Sequence, residues 1–397
     1  MLVNRHRASQ SKWFLTAALG LAEFSRGALV VALLSNYVTG PLGAPLTVAG
    51  LALSAHYFLD TLFRGPSGYL VDSWGSKRVL LVGVGIEVVA FFGLMNTASA
   101  LGAIAFVALL GVGTATHWPA VVTGTNRLTG QASRASAMSL VFAAWLAGSG
   151  LGLMVINFLM HGRDRTAFAI LILVDLAAWS LVIAVQSPEL DPKRPAPHPM
   201  SDWLRTLWPF RFILPGMFLQ NMTLGLMLPI FEPYVNRVLH LTHWQFAVLL
   251  VGGGAIAVGL LWPMGRVTDR LGLRLPLIGG FFVAAFALFL LGFTRHFYLL
   301  VGLGGILGFA YAMILPSWNA FLGRLVPKGI EGWHWGVFMT FEGLGMAVGP
   351  TIGTRLFEMA VWAPFVFSAL ILLVMGFFYW LFPFDAYWSA HVPPTRS

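Results

Sequence analysis

The sequence predicts an all-α integral membrane protein with twelve transmembrane helices arranged as two six-helix repeats. Three observations carry this. Of the 397 residues, 58% are apolar and only 10% are charged, against roughly 25% charged in ordinary soluble domains. Apolar runs long enough to cross a bilayer, which takes about 20 residues, recur through the whole chain. One polar loop pattern occurs twice at a fixed spacing. A β-barrel would instead show alternating segments of about ten residues, and these are absent.

The first span, 13–38, carries Glu23 and Arg26 in its middle. At i,i+3 they share one helix face. A lone charge near the bilayer centre costs about 2.5–3.5 kcal/mol on insertion scales, so both must look into a protected polar interior. The basic start (Arg5, Arg7, Lys12) is signal-like, but the span is long and charged inside, so it reads as a retained helix. The second span, 46–71, places His56, Asp60 and Arg64 at i, i+4 and i+8, one stripe on one face. Asp60 and Arg64 can pair as Glu23 and Arg26 do, and Arg64 can also snorkel to head groups. Spans 79–97 and 166–186 carry Glu87 and Asp175, read as pointing to neighbouring helices or the interface. Span 100–124 carries His117 and Trp118. Span 136–160 carries Trp145 and Gly148-x-Gly150-x-Gly152, a close-packing stripe.

Residues 187–209 form a proline-rich linker (SPELDPKRPAPHP) that cannot span. It separates an N-terminal half, 1–186, from a C-terminal half, 210–397. The second half contributes spans 210–236, 243–267, 275–293, 297–322, 334–358 and 362–384. Gln220 lies in the first of these. Glu342 and Gly345-x-x-x-Gly349-Pro350 lie in the fifth, and whether Gln220 and Glu342 face a cavity is open from sequence. Of the 24 Lys and Arg residues, 17 fall on the side that holds both termini and the linker. That side is expected to be cytoplasmic in a multi-pass plasma-membrane protein. The net charge of +9 therefore marks orientation and implies no nucleic acid. With no Cys, thiol chemistry and thiolate metal sites are excluded. No nucleophile, metal cluster or phosphate loop stands at convincing spacing, so an enzyme is not expected.

Gly68-x-x-x-Asp72-x-x-Gly75-x-Lys77-Arg78 follows span two, and Gly265-x-x-x-Asp269-x-x-Gly272-x-Arg274 follows span eight. The offset is 197 residues at every matched position. It also relates Pro119 to Pro316, Arg127 to Arg324, Gly148 to Gly345 and Gly152 to Gly349. Such a register signals duplication. Two parallel six-helix repeats are the layout of the major facilitator superfamily, and the paired loops resemble its cytoplasmic gate signature. That resemblance implies that the Gly allows close helix contact, while the Asp and basic residues latch neighbouring helix ends.

The same offset sets Glu23 against Gln220 and Arg26 against Thr223. It sets His56, Asp60 and Arg64 against Gly253, Ala257 and Leu261, and His117 and Trp118 against Ile314 and Leu315. A cavity between two such halves would be charged on one wall and mostly apolar on the other, which suits an amphiphile with a polar head. Trp118 and Trp145 are candidates to lie flat on a sugar ring. His56 and His117 each read as packed, hydrogen-bonded residues ahead of proton carriers, and whether His117 faces the cavity is open from sequence.

Glu23-Phe24-Ser25-Arg26-Gly27, Leu315-Pro316-Ser317-Trp318-Asn319-Ala320-Phe321 and Trp335-Gly336-Val337-Phe338 with the following glycines resemble the lipoteichoic-acid glycolipid flippases of Gram-positive bacteria. This resemblance implies proton-coupled movement of a diglucosyl-diacylglycerol anchor from inner to outer leaflet. It assigns the head-group pocket to Glu23, Arg26, Asp60, Trp118 and Trp145. The chain departs from the pattern at Glu342, where an uncharged amide is expected. No cofactor beyond the proton gradient and no metal is expected. The partners are the amphiphile and membrane lipid, and the chain is expected to act as a monomer. The rival readings are a proton-driven exporter of hydrophobic or cationic drugs, a sugar or organic-anion symporter, and a non-transporting receptor on the same fold.

Overall fold

The computed structural model describes residues 2–129, 134–159, 164–185, 210–325 and 331–384. The linker expected over 187–209 lies outside them, as do the side chains of Arg324 and Trp335. The fold is all-α. Twelve long helices follow in order: α1 Gln10–Thr39, α2 Leu46–Trp74, α3 Ser76–Asn96, α4 Ala100–Leu128, α5 Arg134–Leu159, α6 Asp164–Ala184, α7 Leu214–Val238, α8 His243–Leu271, α9 Arg274–Phe293, α10 Phe297–Leu325, α11 Glu331–Met359 and α12 Ala363–Leu381. Eleven are long and apolar enough to cross a membrane. The remaining one, α11, is 29 residues long but carries Glu331, Glu342, Arg355 and Glu358, which lower its hydropathy.

The described residues fall into two compact units. One lies within Met1–Pro197 with Leu228–Pro233 and Met346–Thr354, the other within His198–Met227, Tyr234–Gly345 and Arg355–Ser397. In the first, α1 packs on α5 and α6, α2 on α4, and α3 on α4 and α6. In the second, α8 packs on α10, and α9 on α10 and α12, the equivalent pairs.

The duplication is visible bond by bond. The Tyr37 hydroxyl donates to the Leu94 and Thr97 carbonyls, and the Tyr234 hydroxyl to those of Leu291 and Thr294. Lys77 donates from Nζ to the Ile183 carbonyl near the end of α6, and Arg274 from its guanidinium to that of Trp380 near the end of α12, both at 2.5 Å. Every partner is displaced by 197 residues. A cation on the free carbonyls of a helix C-terminus is a favourable cap. Gly75 and Gly272 both hold positive φ, +87° and +81°, where a side chain would be strained.

Helix ends differ from the expected spans. The span over 46–71 continues to Trp74 and that over 243–267 to Leu271. Gly68 and Asp72, like Gly265 and Asp269, therefore ride on the last helical turns, and the chain turns only at Gly75 and Gly272. Hydropathy marks where a helix leaves the bilayer, whereas the backbone ladder continues to the first residue that breaks it.

Two irregularities position the polar side chains. After Gly27, α1 widens into a π-helical stretch over Ala28–Leu33. In α4 the regular helix stops at Thr114 and resumes at His117. Pro119 lacks the N–H that would bond the Ala115 carbonyl. Around this break the Thr114 and Thr116 hydroxyls donate to the Gly111 and Gly113 carbonyls, at 3.1 and 2.9 Å. His117 and Trp118 thus stand at the start of a fresh helical segment.

Candidate functional site: a buried ionic cluster in the first repeat

Glu23 is 5% exposed. Its Oε2 accepts from Arg26 Nε at 2.8 Å and from a terminal guanidinium nitrogen at 2.5 Å, and the Ser149 hydroxyl of α5 donates to it at 3.2 Å. This arrangement needs α1 and α5 to touch backbone to backbone. A Cβ on Gly148 would run into the Gly20 carbonyl, and one on Gly152 into the Phe24 carbonyl, whereas Gly150 faces open space. Tyr57 of α2 lies within electrostatic reach of the Arg26 guanidinium.

On α2, Asp60 is buried and pairs with Arg64 at 2.6 Å, with the Arg64 side chain one third exposed. His56, on the same stripe, is fully buried, with Nδ1 3.3 Å from the Val107 carbonyl of α4 and its ring edge-on to Tyr57. It is held by packing between α2 and α4. Trp118 and Trp145 are partly buried on the core formed by Leu15, Leu19, Ala120, Val121 and Val141. Trp118 meets Phe142 edge-on at 5.0 Å.

His117 is where sequence reading fell furthest short. Its ring is 2% exposed and lies between two carboxylates on different helices. Nε2 is 2.6 Å from Glu87 Oε1 on α3, and Nδ1 is 3.8 Å from Glu23 Oε1. The first distance is of hydrogen-bond length, but neither ring nitrogen is aligned for a formed hydrogen bond. Gly113 makes room, since a Cβ there would sit 2.7 Å from Glu87 Cγ. Asp175 of α6 is fully buried beyond Glu87, in electrostatic reach of it and near the Ser25 hydroxyl. Glu87 and Asp175 thus turn inward to the Glu23 cluster. That both are acids in mid-span was the available signal; their direction was not.

At the duplicated loop motif, exposed Asp72 pairs with Arg127 at 3.1 Å, and Lys77 caps α6 as described. Arg78 and Asp269 are exposed, while Gly68 and Gly265 have room for a side chain. In the second repeat, Gly253, Ala257 and Leu261 are partly buried, and Gln220 is partly buried with Oε1 unpartnered. Glu342 accepts from the indole N–H of buried Trp318 at 3.3 Å, a local reason for an acid in this repeat.

The sequence pattern of the Major Facilitator Superfamily matches residues 15–262 and 213–397. Among curated relatives, the proton-coupled antiporter flippase LtaA of Staphylococcus aureus (strain USA300) is 26% identical over 369 residues, covering 91% of this chain and 92% of that protein. The protein of the same name from Staphylococcus saprophyticus is 25% identical over 389 residues, 96% of each. Among solved structures, the nucleoside transporter NupG superposes with a TM-score of 0.77 at 14% identity, covering 94% of this chain and 99% of that one. A D-xylose-proton symporter gives 0.75 at 15%, covering 94% and 97%. These structures share the fold.

Proposed function

Because this chain belongs to the Major Facilitator Superfamily, a family of transporters rather than enzymes, we propose that it is a proton-coupled flippase. Its substrate is a glycolipid of the diglucosyl-diacylglycerol, lipoteichoic-acid-anchor type, moved from inner to outer leaflet by alternating access. The observation that carries the reading is the two mid-span charge pairs on α1 and α2 of the first repeat. Glu23–Arg26 and Asp60–Arg64 are paired there, while the second repeat offers Gly253, Ala257 and Leu261 at the positions equivalent to His56, Asp60 and Arg64. The relatives named proton-coupled antiporter flippase support the flippase part of this reading.

In this reading the sugar head binds Arg26 and Asp60, and Trp118 and Trp145 stack on its rings. The acyl chains lie against apolar positions of the second repeat. Engagement of Arg26 by the head group frees Glu23, which then takes up a proton. Arg26, shared between Glu23 and the head group, ties substrate entry to proton uptake. The protein acts as a monomer in the plasma membrane, with both termini on the cytoplasmic side and no cofactor beyond the proton gradient.

The test is flipping of a fluorescent diglucosyl-diacylglycerol in proteoliposomes with an imposed pH gradient. Gradient-stimulated flipping that is lost in Glu23→Gln and in Trp118→Ala is expected. Absence of flipping, or flipping indifferent to both changes, overturns the reading. Buried mid-span acids also serve proton-driven exporters of cationic drugs. The arginines paired to Glu23 and Asp60 disfavour a cationic cargo, and drug-resistance profiling of a deletion strain separates the two.

A further inference from the structure

The two oxygens of Glu23 are used differently. Oε2 takes both Arg26 bonds and the Ser149 hydroxyl, while Oε1 faces His117 Nδ1 at 3.8 Å. The other side of that ring faces Glu87 Oε1 at 2.6 Å. One imidazole therefore joins a carboxylate at the ionic cluster to one buried behind it. We propose that Glu87 is a second proton-carrying carboxyl of this transporter and that His117 relays its proton to Glu23.

Three features argue for a relay over a static packing contact. Glu87 is 1% exposed and has no Lys or Arg paired to it among the described residues. A buried carboxylate is costly unless it is paired, and the group within reach of the Glu87 carboxyl is the His117 ring. His117 has neither nitrogen committed to a backbone carbonyl, the usual anchor of a structural imidazole; His56, whose Nδ1 meets the Val107 carbonyl, shows the anchored alternative. The ring faces Glu23 on α1 and Glu87 on α3, with Asp175 on α6 in electrostatic reach of the ring and of Glu87; Arg26 on α1 and Ser149 on α5 bond Glu23, and His56, Tyr57 and Asp60 on α2 lie in reach of Arg26 and Glu23. The only cation among them is Arg26, and it is spent on Glu23.

The step balances without another reactant. The Glu87 carboxylic acid gives its proton to His117 Nε2, and the N–H at Nδ1 gives its proton to Glu23 Oε1. Glu87 is left as carboxylate, Glu23 as acid, and the imidazole neutral in its other tautomer. The reverse transfer resets the ring. Apo hydrogen bonds at proton-transfer sites are often long and tighten in the working complex, and 3.8 Å needs only a side-chain adjustment.

The proposal rests on the proton-coupled reading above, so the experiment separates the two. Glycolipid flipping is measured in proteoliposomes with and without a pH gradient, for the parent, Glu87→Gln, His117→Gln and His56→Gln. In the parent, gradient-stimulated flipping is expected; its absence overturns proton coupling itself. Glu87→Gln is expected to bring the stimulation ratio, the flipping rate with the gradient over the rate without it, down to about one. His117→Gln loses the stimulation and the solvent isotope effect on it, whereas His56→Gln keeps both. A stimulated parent whose Glu87→Gln and His117→Gln variants stay stimulated overturns the relay alone. Equal loss of flipping in both arms for Glu87→Gln also overturns it, because a merely structural or substrate-binding acid behaves so. Should the variants fail to fold, infrared difference spectra of the parent with carboxyl-labelled glutamate decide. Two buried glutamate carboxyls titrating together are expected, and one alone refutes the relay.

Discussion

Arg26→Met tests how far the Glu23–Arg26 pair holds α1 in place. The substitution removes the two bonds to Oε2, at 2.8 and 2.5 Å. It leaves a 5% exposed carboxylate with the Ser149 hydroxyl at 3.2 Å and the His117 ring at 3.8 Å. Hydrogen bonds to a charged acceptor contribute about 1.5–3 kcal/mol each, and stranding one member of a buried ion pair costs about 3–5 kcal/mol. The Arg26 side chain is 18% exposed, so water relieves part of the loss, and about 3 kcal/mol of destabilisation is expected. The double variant Glu23→Gln/Arg26→Met carries no stranded charge and should recover about 2 kcal/mol of that, since replacing a whole buried pair is often near neutral. Unfolding in detergent, followed through the fluorescence of the 15 tryptophans, closes the double-mutant cycle with Glu23→Gln alone. A single variant within about 0.5 kcal/mol of the parent, or a double variant equal to the sum of the singles, refutes the reasoning.

Three further outcomes follow from the packing. Gly152→Leu drives its side chain into the Phe24 carbonyl, while Gly150→Leu points into open space; the first should lose about 3 kcal/mol or fail to insert, the second stay near the parent, read by membrane expression and thermal unfolding. Tyr37→Phe and Tyr234→Phe each strand a carbonyl that their hydroxyl satisfies, so losses of about 1–2 kcal/mol that match within error are expected in the same assay; a clear inequality would show that the repeated bonds are not energetically equivalent. Lys77→Ala and Arg274→Ala uncap the ends of α6 and α12 and should speed amide hydrogen exchange over the last turns of those helices alone.

The fold was legible because its signals are local and repeated. Span length, charge asymmetry and the offset of 197 survive without knowing any contact. Glu23–Arg26 and Asp60–Arg64 were legible for the same reason, as i,i+3 and i,i+4 neighbours on one helix. Contacts between helices were not. Whether Glu87 on α3 and Asp175 on α6 point to lipid, to a neighbour or to Glu23 depends on helix rotation, and those helices are apolar on all sides, so their hydrophobic pattern fixes no inward face. His117 was ambiguous because its role lies in what stands on either side of it, one group 94 positions before it in the chain and one 30 before it. Glu342 was ambiguous until Trp318, 24 residues away, supplied its donor.

The π-helical stretch over Ala28–Leu33 changes which residues of the two repeats are counterparts. Beyond it the register is 197, as Tyr37 and Tyr234 with their repeated carbonyl partners require. Before it the register is 198: Gly148 lies against Gly20, and its counterpart Gly345 lies against Phe218. A π turn accommodates one extra residue, and one residue is about 100° of helix rotation. Glu23 therefore corresponds to Asn221 and Arg26 to Leu224, not to Gln220 and Thr223 as an unbroken offset would have it. The Asn221 side chain donates to the Met217 carbonyl of its own helix, and Leu224 is exposed. The second repeat thus has an amide occupied by backbone where the first has its buried acid, and an aliphatic chain where the first has its arginine. The difference between the repeats at this position is larger than the sequence offset suggested, and the inserted residue sits immediately after the ionic pair, where removing it would turn Glu23 and Arg26 away from Ser149 and His117.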